Sequence, residues 1–414
     1  MLNNNKIAYL VNIFPVISET FIVNQVIAAI DAGYSVNIFA RKLLSLKESS
    51  QEDLLSRYKL MSKCIKMHNY STKKIDNLKT VLKILMQYKY SALLHSYRSL
   101  RSSNFGFNGF GLYNFISTAM FLSDNSHIHH AQFGPNGKLL VQAKYLNLIK
   151  GKIITTFHGY DASSNFMPFE ELKIYYSNLF NVGDFFTVNT PYLAEQLAAL
   201  GCPKDKLYII PMGIDTLYFK PKQKNITNNS SINLLSVGRL VKFKSFDLGI
   251  RAMSILISEG YHVQYTIIGD GDQKEYLRGL AANLGISKHV KFTGALNQEM
   301  VRNYMQESDI FLMTSTHDEN MRRETQGVVT AEAQACGLPV CAFRSGGIPY
   351  TLKDGETGFL SEEKNIKEFT KNIKILINND ELRYKMSLAA RDFIKQNYSV
   401  NVSAKKLITI YNSL

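Results

Sequence analysis

Short apolar runs recur along this chain, each followed by a stretch whose apolar residues fall at helical spacing, and that alternation leaves few folds open. Lys6–Asn12, Ser35–Ala40, His127–Phe133, Lys152–Phe157, Asp184–Thr190 and Lys206–Met212 make one series of such runs. Near-continuous apolar strands separated by helices predict a parallel sheet covered on both faces. One intervening stretch, Pro191–Gly201, has Pro at its start and Gly at its end, as a helix should. Residues 219–231 lose all periodicity, fill with Lys, Asn and Ser, and read as a linker. A second series follows at Ile232–Val237, Tyr265–Ile268, His289–Thr293, Asp309–Met313 and Leu338–Phe343. The expected fold is α/β: two Rossmann-like, doubly wound parallel-sheet domains, residues 1–220 and 221–395, facing across a cleft. Ligands of such sheets bind at the C-terminal ends of the strands.

At 414 residues and 45% hydrophobic, the chain can fill two cores, and disorder is excluded as its general state. The four cysteines show no paired metal-ligand spacing, which suits a reducing compartment. The N-terminal residues lack the pattern of a signal peptide, and the most apolar stretch, 105–122, is broken by Asn and Gly. A cytoplasmic location is expected. The net charge of +14 is uneven: residues 41–101 carry fourteen Lys/Arg against four Asp/Glu. That segment also has Leu, Ile, Met and Tyr at helical spacing, so it reads as basic amphipathic helices. They suit either an anionic membrane surface or a solvated domain face. Nucleic acid is not expected, because no nucleic-acid motif accompanies the charge.

Three constellations lie at expected strand ends and a fourth at a helix start. Glu324 and Glu332 flank Gly327 and Val328 at a helix start, where N–H groups and the positive dipole end can receive an anion. Their spacing suits two parts of one elongated ligand, and is equally met by an amphipathic helix with two solvated glutamates. Gly238-Arg239 through Lys244 offers a guanidinium fork and a mobile ammonium, which together could neutralise a diphosphate in place of a metal. Gly269-Asp-Gly-Asp272 reads as a glycine turn near a nucleotide base rather than a metal site. His158-Gly-Tyr-Asp161 places an imidazole where it can accept a proton or donate a hydrogen bond, with Asp161 beside it or capping the turn. His127, His129 and His130 look like a metal cluster, but strand alternation sends 129 and 130 to opposite faces.

Glu324-x7-Glu332, continued by Ala-x-Ala-x-Gly-Leu-Pro-Val340, Gly346-Gly-Ile-Pro349 and Asp354-Gly-Glu-Thr-Gly-Phe359, resembles the donor-site signature of the retaining glycosyltransferase family 4. The match runs in order from about Gly238 to Leu360. It departs at Thr325, where the family commonly has Gly, and at Tyr350, where it commonly has Glu. The resemblance implies the GT-B architecture, with residues 396–414 forming a helix that crosses back to the first domain. It implies a donor site of Gly238, Arg239, Lys244, Gly269, Gly271, Glu324, Gln326, Gly327, Val328 and Glu332. Glu324 would hold the sugar, Glu332 the ribose, and Arg239 and Lys244 the diphosphate. His158 would stabilise the transition state at the transferred sugar. Phe14-Pro-x-x-Ser18-Glu19-Thr20-Phe21 is similar to the first loop of a polysaccharide-assembling branch, which puts Ser18, Glu19, Thr20, His158 and Asp161 on the acceptor side; Ser18 and Glu19 equally suit a helix cap, Ser18 above all. The expected reaction needs no metal or other cofactor. It moves a sugar from a nucleoside diphosphate, UDP in preference to GDP, to a lipid-linked saccharide of a bacterial capsule, exopolysaccharide or O-antigen. The alternatives are another GT-B enzyme, such as a sugar-nucleotide epimerase or a phosphorylase, and a non-catalytic sugar-nucleotide or membrane adaptor.

Overall fold

The computed structural model describes residues 5–16, 19–46, 49, 51–101, 111–164, 166–222 and 231–414. The chain divides into two compact units, one of residues 1–188, 194–210 and 404–414, the other of residues 189–193 and 211–403. Both are α/β, and each is built on a parallel sheet.

In the first unit the strands are β1 (Lys6–Phe14), β2 (Ser35–Leu43), β3 (Cys64–Lys66), β4 (Ile128–Gln132), β5 (Lys152–Thr156), β6 (Phe185–Val188) and β7 (Leu207–Ile209). They run in the order β3-β2-β1-β4-β5-β6-β7. The order reverses direction between β1 and β4, which opens a crevice at the strand ends there. Ile7, Tyr9 and Val11 of β1 meet Val26 and Ala29 of the helix Thr20–Asp31 and Leu407, Ile410 and Tyr411 of the helix Val400–Asn412.

In the second unit β8 (Ile232–Val237), β9 (Val263–Ile268), β10 (Val290–Gly294), β11 (Ile310–Met313), β12 (Val340–Phe343) and β13 (Gly358–Ser361) run in the order β10-β9-β8-β11-β12-β13. Here the switch lies between β8 and β11. Alternation explains the apolar runs: Ile310 and Leu312 enter one core and Phe311 and Met313 the other. Each such side chain contributes roughly 1.5–3 kcal/mol on burial, so neither face can be polar without cost.

Two features differ from the expectation. The boundary falls before Pro211, ahead of the polar stretch, because Gln326 holds the backbone of Met212 and Ile214 pairs with Ser399. Of the expected linker, residues 223–230 lie outside the described residues. The basic segment is also not helical throughout, since Cys64–Lys66 joins the sheet beside β2.

The helix Lys74–Tyr88 packs through Ile84, Val81 and Leu85 on Phe115 and Ile116, and Asn77 ties its start to both backbone groups of Ser71 at 2.8 and 2.7 Å. Its outer side carries Ile75, Leu78, Leu82 and Met86, 51–72% exposed, beside exposed Lys79 and Lys83. No helix among the described residues is long and apolar enough to cross a membrane. Residues 105–110 of the apolar stretch at 105–122 lie outside them.

Candidate functional site

In the second unit the loops after β8, β9, β11 and β12 meet. The β8 loop is tied to the β11 loop by Thr314, whose hydroxyl donates to the Lys244 carbonyl at 2.8 Å, and by Thr316, hydrogen-bonded to Ser245 at 2.7 Å. This brings the Lys244 ammonium onto the Glu324 carboxylate, with the two side chains 14% and 19% exposed. Burial pushes the Glu324 carboxyl up, but the Lys244 charge and hydrogen bond and the N–H groups of Gly327 and Thr325 outweigh it. The group is held below the usual carboxylate range. Glu324 is therefore ionised and neutralised.

Gly327 caps the helix Val328–Ala335 with φ +74°, a conformation only glycine adopts freely, and its N–H turns to Glu324. The anion expected at this helix start is thus the chain's own carboxylate. Glu332, further along that helix, is half-buried, and burial pushes its carboxyl up to about 8. Among the described residues no donor satisfies it.

Arg239 is exposed at the end of β8, and Arg322 lies near enough to be affected by its charge. Burial first, then the Arg239 charge, holds the Arg322 guanidinium down, against the pull of Asp318, Glu324 and Asp272. Arg322 also sits over the Phe243 ring, 3.9 Å from its centre. It belongs with Arg239 and Lys244, and the sequence reading missed it. Its signal was a charged loop running directly into Glu324.

Several expected contacts are corrected. Gln326 is 1% exposed, and its amide accepts from the Met212 N–H at 2.8 Å and donates to the Met212 carbonyl at 3.2 Å. Its side chain holds the loop and leaves nothing for a donor. A Cβ on Gly269 or Gly271 would stand 1.8 and 2.4 Å from the carbonyls of Gly238 and Leu240, so close backbone packing demands these glycines. They brace the Arg239 turn, where Leu240 donates its N–H to the Asp270 carbonyl at 2.9 Å. Asp270 itself accepts from Lys274 at 2.8 Å.

In the first unit His158 follows β5. Its ring lies between Phe21 and Phe133, each centroid 4.6 Å away, and its Nε2 meets the Gln132 Oε1 at 2.9 Å. Burial holds its pKa down to about 3, so the ring is neutral and only weakly basic, which favours hydrogen bonding over proton acceptance. Asp161 is 2% exposed and accepts the N–H groups of His158, Gly159 and Gly134 at 3.1, 3.0 and 2.8 Å. It shapes the loop from within rather than meeting an acceptor. Glu19 and Thr20 are half-buried at the start of the helix Thr20–Asp31, and burial pushes the Glu19 carboxyl up; Ser18 lies outside the described residues. His129 bonds Asp124 at 2.6 Å, while His130 bonds Tyr411 and Thr156 at 2.6 and 2.7 Å.

The family described as Glycosyltransferase Family 4 matches residues 18–217, and that described as Glycosyl transferases group 1 matches residues 219–393. The amylovoran biosynthesis glycosyltransferase AmsK of Erwinia amylovora is 28% identical over 99% of this chain and 100% of its own. A GDP-mannose-dependent alpha-(1-6)-phosphatidylinositol monomannoside mannosyltransferase of Mycolicibacterium smegmatis is 27% identical over 62% of this chain and 69% of its own. Among solved structures, Anabaena HepE in complex with UDP and glucose superposes with a TM-score of 0.71 at 18% identity, over 99% of this chain and 100% of that one. With the two family matches meeting end to end on two parallel-sheet units, the chain belongs to the family 4 glycosyltransferases and has the GT-B fold.

Proposed function

We propose that this glycosyltransferase moves a sugar, with retention, from a nucleoside diphosphate to a lipid-linked saccharide during assembly of a bacterial exopolysaccharide. The observation that carries the reading is the Lys244–Glu324 ion pair with Arg239 and Arg322 beside it. The three cations take the charge that builds on a departing diphosphate, the work a metal does elsewhere, so the reaction needs no metal. Glu324, ionised and fixed by Gly327, accepts from hydroxyls of the donor sugar. Glu332 accepts from the ribose, whose hydroxyls supply the donors its carboxyl lacks. His158, neutral, hydrogen-bonds the transferred sugar, and the leaving phosphate takes the acceptor's proton.

A UDP-sugar is the favoured donor, supported by the UDP held in Anabaena HepE, with GDP-mannose, used by the mycobacterial relative, as the competing choice. Exopolysaccharide assembly is supported by AmsK, named for amylovoran biosynthesis. A lipid-linked acceptor is supported by that mannosyltransferase's phosphatidylinositol monomannoside and by the exposed Ile75, Leu78, Leu82 and Met86 flanked by lysines, a face suited to an anionic membrane. The test is thermal shift with UDP, GDP and dTDP sugars, followed by turnover of the binding donor with and without EDTA. Stabilisation by one nucleotide and chelator-resistant turnover support the reading. Turnover that stops with EDTA and returns with a divalent ion overturns it.

A further inference from the structure

A buried hydrogen-bond chain runs through the first unit from a backbone carbonyl to His158. Tyr9 Oη lies 3.1 Å from the Gln25 carbonyl and 2.6 Å from Tyr411 Oη, and Tyr411 Oη lies 2.6 Å from His130 Nδ1. On its other side His130 Nε2 meets Thr156 Oγ1 at 2.7 Å and the Gln132 Nε2 at 3.4 Å. Gln132 donates to Gln25 Oε1 at 2.7 Å and faces His158 Nε2 with its Oε1 at 2.9 Å. Tyr9, His130 and Gln132 are fully buried and Tyr411 is 2% exposed, so water does not compete for these groups.

The chain has one consistent direction. A carbonyl only accepts, so the Tyr9 hydroxyl donates to Gln25 and its oxygen must accept from Tyr411. Tyr411 has then spent its proton, and its oxygen accepts from His130 Nδ1–H. That leaves the lone pair of His130 on Nε2, where it receives Thr156 Oγ1–H and the Gln132 amide. With its NH2 turned toward His130 and Gln25, Gln132 presents its carbonyl oxygen to His158, which must carry its proton on Nε2. The lone pair of His158 then resides on Nδ1. Were the His130 proton on Nε2 instead, it would oppose the Gln132 NH2, favour flipping that amide together with the Gln25 amide it meets, and move the His158 proton to Nδ1.

We infer that Tyr411, on the helix Val400–Asn412, is a positioning residue for His158, setting the tautomer of that imidazole through His130 and Gln132. The inference rests on the sugar-binding role proposed for His158 only in its effect on turnover; the tautomer itself is a property of the free protein. Removing the Tyr411 hydroxyl takes away the acceptor of His130 Nδ1–H and frees the chain to reverse.

The experiment is imidazole nitrogen NMR on the histidine-labelled full chain, with donor-saturation kinetics, for wild type, Tyr411→Phe, Tyr9→Phe, Asn412→Ala and His158→Ala. Tyr9→Phe is the second route, since it lets Tyr411 donate toward His130 and reverses the chain with Tyr411 intact. Asn412 lies one residue on and accepts from Tyr34 at 2.7 Å outside the chain, so its variant controls for disturbance of the helix. The expected result is an Nε2–H tautomer of His158 in wild type and Asn412→Ala. In either tyrosine variant the population moves to Nδ1–H, with kcat lower by roughly ten-fold or more and donor KM within about two-fold. Tyr411→Phe adds nothing further once His158 is Ala. A tautomer that moves while His158→Ala keeps full turnover sustains the positioning and overturns the proposed role of His158. An unmoved tautomer in the tyrosine variants, with His158→Ala inactive, overturns the positioning and leaves that role standing.

Discussion

Gly347 donates its backbone N–H to the Glu324 carbonyl at 2.7 Å, and a Cβ at Gly347 would stand 1.7 Å from the next carbonyl, that of Thr325. The backbone at Gly347 has φ −84°, which any residue adopts, so space alone requires glycine there. The loop after β12 is in this way the floor on which the Glu324 loop rests.

Gly347→Ala is therefore expected to displace Glu324, destabilising the protein by roughly 1–3 kcal/mol, as overpacking does, and lowering kcat more than nucleotide affinity. Gly279→Ala, in the helix Lys274–Asn283 with nothing within 4 Å of its Cβ, should be neutral or stabilise by up to about 1 kcal/mol. Thermal melts and donor kinetics on both variants check this. Equal behaviour of the two would mean the floor does not bear on the site.

Lys244→Met leaves a buried carboxylate without its cation, so the Glu324 carboxyl should rise from below 4.5 to above it. In the wild type the pair's stability is fully present above about that pH and lost as pH falls through the depressed value. Residual turnover of the variant should climb with pH between 5 and 8, roughly, where the wild type is flat on this account. A pH–rate series reads this directly, and Arg239→Ala in the same series should lose about 2–4 kcal/mol of transition-state stabilisation without the new pH dependence.

Glu332 titrates the other way. Its carboxyl, raised to about 8, gives a contribution to stability that is complete below the unfolded value and lost as pH rises through 8. Ribose hydroxyls favour the ionised form, so UDP should bind more tightly as pH rises from about 6.5 to 8.5, by at most roughly ten-fold per unit. Calorimetry over that range should give a slope in the wild type and none in Glu332→Gln. At fixed pH, Glu332→Ala should mainly raise donor KM, whereas Glu324→Ala should mainly lower kcat.

Vesicles containing anionic lipid should carry the protein to the top of a flotation gradient, and salt should weaken this as it screens charge beyond about 8 Å. Reversing Lys73, Lys74, Lys79 and Lys83 to Glu should abolish it, and Leu78→Ser with Leu82→Ser should weaken it at every salt concentration. Flotation indifferent to both sets of changes removes the membrane face from the proposal.

The two sheets were legible because strands covered on both faces must be apolar at successive positions, as Ile310–Met313 shows. Strand β3 was not, because a three-residue edge strand with Ile65 38% exposed carries no such constraint inside a basic segment. At the candidate site, Lys244 and Arg239 were visible as charged residues at a strand end, and Glu324 through the helix start and the signature it opens. Gln326 and Asp161 were visible too, but their partners, Met212 and the His158 loop, come only from tertiary packing. Nothing local could have joined His130 to Tyr411, 281 residues away.

The bond between Tyr9 and Tyr411 spans 402 residues. All of the second unit, residues 189–193 and 211–403, is synthesised between them, before residues 404–414 emerge. Leu407, Ile410 and Tyr411 belong to the core of the unit that was made first. On the ribosome the order of completion is therefore inverted: the unit begun first is the one finished last, and one side of β1, packed early on the helix Thr20–Asp31, keeps part of its surface uncovered until synthesis has passed residue 411.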